Sequence, residues 1–136
     1  MALFTVTLHG ALVATVELPA DRTWAGGRVT PLPGFAALAP LLETAREAPQ
    51  CVALLLDLPS GCAWPSDAAE HLPAHVAHAY HHLAALPFEL RDEAGLPADA
   101  ELVRLAPIGR TPDAAVRVYF RHAPASVGAR TTLPPR

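Results

Sequence analysis

The chain has 136 residues, 51% of them hydrophobic and 17% charged, with a formal net charge of −3, a balance that suits one folded domain and excludes an intrinsically disordered chain. No apolar run approaches the roughly 20 residues of a membrane span, and the N-terminus lacks the basic start and apolar stretch of a secretory signal, so the sequence predicts a cytoplasmic protein without a membrane partner. The two cysteines, Cys51 and Cys62, then read as free thiols, because a disulfide framework needs an oxidising compartment.

The residue alphabet is skewed. Every one of the ten Lys-plus-Arg positions is Arg, Asn is absent and Ile108 is the single isoleucine, the pattern of GC-rich codons and a bacterial source. Schiff-base and lysine general-base chemistry are thereby excluded, and an anion site must use Arg.

In chain order, Phe4 to Leu8 and Leu12 to Leu18 alternate with period two around His9-Gly10, which predicts a hairpin with Phe4, Val6, Leu8, Leu12, Ala14, Val16 and Leu18 on the core face. Thr5, Thr7, Thr15 and Glu17 fall on the other face. A loop through Asp21, Trp24 and Gly26-Gly27 precedes a short strand at Arg28 to Thr30. Phe35, Leu38, Leu41, Leu42 and Ala45 recur at helical spacing, which requires Pro40 in the first turn. The continuous apolar run from Cys51 to Leu58 predicts a central strand covered on both faces. A loop with Ser60, Cys62 and Trp64 leads to a second helix that Ser66 or Asp67 can cap, ending near Leu86-Pro87. Strands follow at Phe88 to Arg91, Glu101 to Leu105 and Ala115 to Arg121, the first two separated by a Glu93-Ala94-Gly95 turn.

These elements predict an α+β fold, a mostly antiparallel or mixed sheet of five to seven strands with two helices packed on it, in the order ββ(β)αβαβββ. A single domain over residues 1–123 and a flexible Pro/Arg-containing tail over 124–136 complete the expected organisation.

The runs Gly10-Ala11-Leu12, Thr15-Val16-Glu17-Leu18 and Gly27-Arg28-Val29-Thr30-Pro31-Leu32-Pro33-Gly34-Phe35, with Phe88-Glu89-Leu90-Arg91-Asp92 and Gly95, resemble small uncharacterised bacterial proteins. Those proteins open with a hairpin and a G-x-x-x-P-x-P-x-aromatic turn. The resemblance covers about a third of the chain, and it implies architecture without an activity or site residues.

Five of the seven histidines lie between residues 71 and 82. On an α-helix His71, His75, His78 and His82 stand at i, i+4, i+7 and i+11, one stripe bordering the core face of Leu72, Val76, Ala79, Leu83 and Leu86. Such imidazoles suit a divalent transition metal (Zn, Ni or Cu), with Glu70 or Asp67 adding oxygen. Pro73 places His71 at risk of leaving the helical register, and the metalloprotease motif H-E-x-x-H is absent. The bland alternative is a solvated helix face, and a third reading is a pH-sensing row.

Chemistry elsewhere is sparse. Cys62 has no spacing that ties it to a particular histidine base, the nucleophile elbow G-x-S-x-G is missing, and Gly26-Gly27 is no phosphate loop. Glu43 and Glu47 with Arg46 read as a solvated helix face.

Charge is divided unevenly: residues 1–103 carry −8 and residues 104–136 carry +5. In the last strand Arg117, Tyr119 and Arg121 project opposite Val116, Val118 and Phe120, with Arg104 and Arg110 nearby in sequence. Arg and Tyr are enriched at interface hot spots. The first functional expectation is therefore a non-enzymatic domain that binds a protein with an acidic surface through Arg104, Arg117, Tyr119 and Arg121, in the manner of a cytoplasmic partner, inhibitor or immunity-like protein. Nucleic acid is disfavoured by the acidic chain and the absence of lysine. A metal-binding protein using His71, His75, His78 and His82 is the alternative, and a small enzyme ranks third.

Overall fold

The computed structural model describes residues 1–19, 23–58, 64–109 and 113–121. Its first element is the hairpin of β1 (Ala2–Leu8) and β2 (Ala11–Leu18). His9 and Gly10 both take positive φ, 51° and 83°, as a two-residue type I′ turn requires if it is to match the twist of the strands. Val6 stands opposite Ala14 but Thr7 stands opposite Leu12, so Val13 is an extra residue on β2 and the strand bulges there. The phase of alternation changes with it. Val13 is buried at 1% and Leu12 is 53% exposed, which corrects the expected inward Leu12. Thr7, expected outside, is buried.

β3 (Trp24–Arg28) and β4 (Thr30–Pro31) follow, so the segment from Trp24 to Gly27 is strand where a loop was expected. A 3-10 turn over Pro33–Ala37 leads into α1 (Ala39–Ala45) with Pro40 in its first turn, where the missing N–H breaks no helical hydrogen bond.

The apolar run after Pro49 is helix, contrary to the expected central strand. A 3-10 turn over Pro49–Cys51 continues into α2 (Val52–Asp57). Cys51, Leu55 and Leu58 are buried while Leu54 and Asp57 are exposed, a helical period that the apolar residues from Cys51 to Leu56 conceal. The next helical region is split in two: α3 (Ser66–Ala69) and α4 (Ala74–Ala85). Pro65 is the N-cap residue of α3 and no side chain caps it, so neither Ser66 nor Asp67 has the expected role.

β5 (Phe88–Arg91), β6 (Ala100–Pro107) and β7 (Ala114–Phe120) close the fold. Gly95, at φ 83°, shapes the turn after β5. Among the described residues the strands make two antiparallel sheets, β4-β2-β1-β5 and β3-β7-β6. The fold is α+β, but with two sheets in place of one, and with four strands before the helices and three after them.

Packing follows from that division. One face of the second sheet carries Val103, Leu105, Val116, Val118 and Phe120 toward the first sheet, where Phe4 meets Phe120 with ring centres 5.7 Å apart. Its other face is covered over β6 by α1, α2 and α4. Each fully buried leucine in this core, such as Leu55, Leu83 and Leu105, contributes roughly 1.5 to 3 kcal/mol by leaving water.

Two polar clasps hold the helix layer. The Tyr80 hydroxyl is shared between the carbonyls of Ala48 at 2.8 Å and Ala45 at 2.9 Å, which also accept from the N–H groups of Cys51 and Ala48. Its ring stacks on Trp64, 4.9 Å between centres. Arg46, expected on a solvated face, donates to the carbonyls of Ile108 at 3.2 Å, Gly109 at 3.3 Å and Asp113 at 2.7 Å. It fastens α1 to residues on both sides of the β6–β7 connection.

Candidate functional site

The register of the second sheet decides where the predicted basic residues lie. Trp24 pairs with Tyr119, Gly26 with Arg117 and Arg28 with Ala115, and directly opposed residues share a face. Trp24, Arg28, Arg117 and Tyr119 therefore occupy one face, on the side of the sheet that the helices leave open toward its β3 edge. Trp24 is 46% exposed.

Arg117 is held at the centre of this patch. Its guanidinium carbon stands 5.0 Å from the centroid of the Trp24 ring, a cation–π arrangement, and its Nη1 donates to Asp57 Oδ1 at 2.7 Å. The route to Trp24 crosses Gly26, where a Cβ would stand 3.2 Å from Arg117 Nε. Leu54, one helical turn before Asp57 on the same side of α2, is also exposed. Arg28 is open, its side chain 68% exposed and 3.8 Å from Asp113.

Arg121 and Arg104 do not join this patch in the way the sequence predicts. Arg121 is bonded to Asp99 at 3.0 Å, near the start of β6. Arg104 shares the face of Arg117 by register, but it lies under the helices, buried at 4%, and donates to the carbonyls of Ala84 and Leu58. It ties α4 and the end of α2 to β6. Arg110 lies outside the described residues.

The histidine row is partly preserved. His71 sits in the turn between α3 and α4, off the stripe, as Pro73 foreshadows. His75, His78 and His82 line one wall of a groove of about 770 Å³ between α4 and α1, whose other surfaces include Leu8, Leu38, Leu41 and Leu86. His75 Nε2 meets Glu47 Oε1 at 3.1 Å, and the rings of His78 and His82 are 6.1 Å apart between centres. Among the described residues no group of three His, Cys, Asp or Glu side chains is placed to hold a metal ion.

Cys51 is a free buried thiol, and burial pushes its pKa up, which favours the unreactive thiol form. Ser60 and Cys62, the loop candidates for chemistry, lie outside the described residues.

From the sequence Trp24 and Trp64 join the face only if exposed, and Trp24 is exposed while Trp64 is buried; Arg28 was missed, because Gly26-Gly27 signalled a loop. Sequence reasoning also missed the apolar wall facing the histidines. The period of α1 was readable, but its pairing with α4 was not. No family model, no curated protein and no solved structure matches the chain.

Proposed function

We propose that the chain is a non-enzymatic protein-binding domain, a cytoplasmic partner or inhibitor of immunity type, which engages an acidic partner through Trp24, Arg28, Arg117 and Tyr119. The observation that supports this reading is the exposed Trp24 ring with Arg117 fixed over it. Trp, Tyr and Arg are the side chains that dominate interface energies, because they combine large contact area with directional hydrogen bonds. Fixing Arg117 in advance lowers the ordering cost of association. A guanidinium has five N–H donors, so the Asp57 contact leaves capacity for a partner carboxylate, and Arg28 adds an open positive charge.

The test is affinity capture from the source cells with quantitative comparison of the native chain, a Trp24→Ala/Tyr119→Ala variant and a control altered at exposed Leu96. The reading expects one stoichiometric acidic partner that is lost with the face variant and kept with Leu96→Ser. A partner retained by the face variant would refute it.

A further inference from the structure

We infer that the acidic partner is bound as an added strand on the free edge of β3, an extended segment that runs antiparallel to it and carries carboxylates at alternate positions. This goes one step beyond the proposed function and rests on the face of Trp24 and Arg117 being the binding surface.

The edge follows from the hydrogen-bond phase of β3. In an antiparallel ladder every second residue directs both its N–H and its C=O to the same neighbouring strand. Phe120 N–H donates to the Thr23 carbonyl at 2.6 Å and Val29 N–H to the Ala114 carbonyl at 3.0 Å, so Thr23, Ala25, Gly27 and Val29 turn their main-chain groups to β7. Trp24, Gly26 and Arg28 turn theirs the other way, and β3 is the outermost strand of its sheet. All three residues are exposed, and among the described residues no backbone group outside β7 bonds to them. Nor does β2 fill this edge. It lies beneath the buried side of β3, where a Cβ on Gly27 would stand 3.1 Å from the Glu17 carbonyl oxygen and 3.2 Å from Val16 Cγ2. A row of unpaired donors and acceptors of this kind is completed by another strand, whose main chain supplies affinity and whose alternate side chains supply specificity.

The side chains of the patch select the strand. Residues set opposite Trp24, Gly26 and Arg28 present their side chains on the face of the patch, because directly opposed residues share a face. Opposite Arg28, whose side chain is 68% exposed, a carboxylate meets an open guanidinium. Opposite Gly26 no side chain stands between the added strand and Arg117, whose Nε lies 3.2 Å from where a Cβ would be, so a glutamate there reaches the guanidinium that Asp57 also holds. Opposite Trp24 an apolar side chain covers part of the exposed indole. Read from its N-terminus, an antiparallel segment is therefore acid-x-acid-x-apolar. A second copy of β3 in the same place would instead add its own Arg28 and Arg117 to a face that is already basic.

The experiment is an NMR titration of the ¹⁵N-labelled full chain with the acetylated, amidated peptide Thr-Glu-Val-Glu-Val-Leu-Thr. Saturable binding is expected, with the amide protons of Trp24, Gly26 and Arg28 becoming protected from solvent exchange, whereas those of Ala25 and Gly27, bonded to β7, are protected with or without peptide. N-methylation of the two glutamates, whose N–H groups face β3, weakens binding at least about tenfold through two lost hydrogen bonds. N-methylation of the two valines, whose N–H groups face away, leaves it unchanged. Lysine in place of both glutamates weakens it at least about tenfold through the lost charge-assisted bonds. Equal weakening by the two N-methylated peptides would overturn strand addition, and if Trp24→Ala/Tyr119→Ala still abolished binding, the acidic-partner reading of the face would stand without it. Peptide affinity unchanged in Trp24→Ala/Tyr119→Ala would remove both. Absence of saturation at about 1 mM peptide would also overturn the added strand, as would protection of Gly26 that exists without peptide and falls on dilution, the mark of a second copy on this edge.

Discussion

Arg117 reaches the Trp24 ring, 5.0 Å from its centroid, by lying across Gly26, the residue paired with it on the neighbouring strand. A side chain at position 26 would meet Arg117 Nε at 3.2 Å and the Val116 carbonyl at 3.3 Å. Gly26→Val therefore displaces the guanidinium and costs about 1 kcal/mol through overpacking. With fluorinated tryptophan, ¹⁹F NMR should show the Trp24 signal move while the Trp64 signal stays in place. An unmoved Trp24 signal would remove the stacked arrangement.

The Arg117–Asp57 pair orders the patch more than it stabilises the fold. Asp57 is 59% exposed in its side chain and Arg117 25%, so screening keeps their coupling below about 1 kcal/mol. A double-mutant cycle of Arg117→Ala and Asp57→Ala by urea unfolding measures this term directly.

Tyr80→Phe removes a buried hydroxyl bond from two carbonyls that keep their backbone donors, the N–H groups of Ala48 and Cys51, and should destabilise the protein by about 1 kcal/mol. Burial raises the Tyr80 pKa, with Cys51 adding to the shift. The folded state thus keeps the phenol proton where the unfolded chain releases it, near pH 10. Stability from this group is present below that pH and declines above it. Urea midpoints between pH 9 and 11 should fall more steeply for the native chain than for Tyr80→Phe.

Arg46 and Arg104 both bind main-chain carbonyls. Arg46→Ala should cost about 2 kcal/mol by unfastening the end of α1. Arg104→Ala should cost about 3 kcal/mol, since it strips buried acceptors of a charged donor. Chemical unfolding gives both values. A cost near zero for Arg104→Ala would contradict its place beneath the helices.

The bulge on β2 inverts an ordinary expectation from residue size. Val13→Ala should cost about 2 kcal/mol by opening a cavity, while Leu12→Ser, at an exposed position, should leave the urea midpoint almost unchanged. The opposite ranking would restore unbroken alternation.

These differences show where sequence stops being legible. The His9-Gly10 turn was readable because few residue pairs tolerate two positive φ values. Val13 was not, because a bulge changes the phase of a strand without altering its composition. The run Cys51 to Leu56 defeats period analysis, since apolar residues at every position fit a buried strand and a helix alike. Alternation placed Arg117 and Tyr119 on the same side of β7. It could not show that helices cover the β6 part of that face, burying Arg104, and leave the β3 part open beside Trp24. The histidine stripe from His75 to His82 was legible in α4, whereas the leucines opposite belong to α1 and required the packing of the two helices.

The most direct test of the binding face is photo-crosslinking in the source cells, with a photoreactive amino acid at position 119 in one chain and at exposed position 89, on the other sheet, in another. A single acidic protein joined through position 119 and absent from position 89 is the predicted result. Crosslinks through position 89 alone, or the same proteins at both positions, would contradict a partner site built on Trp24, Arg117 and Tyr119.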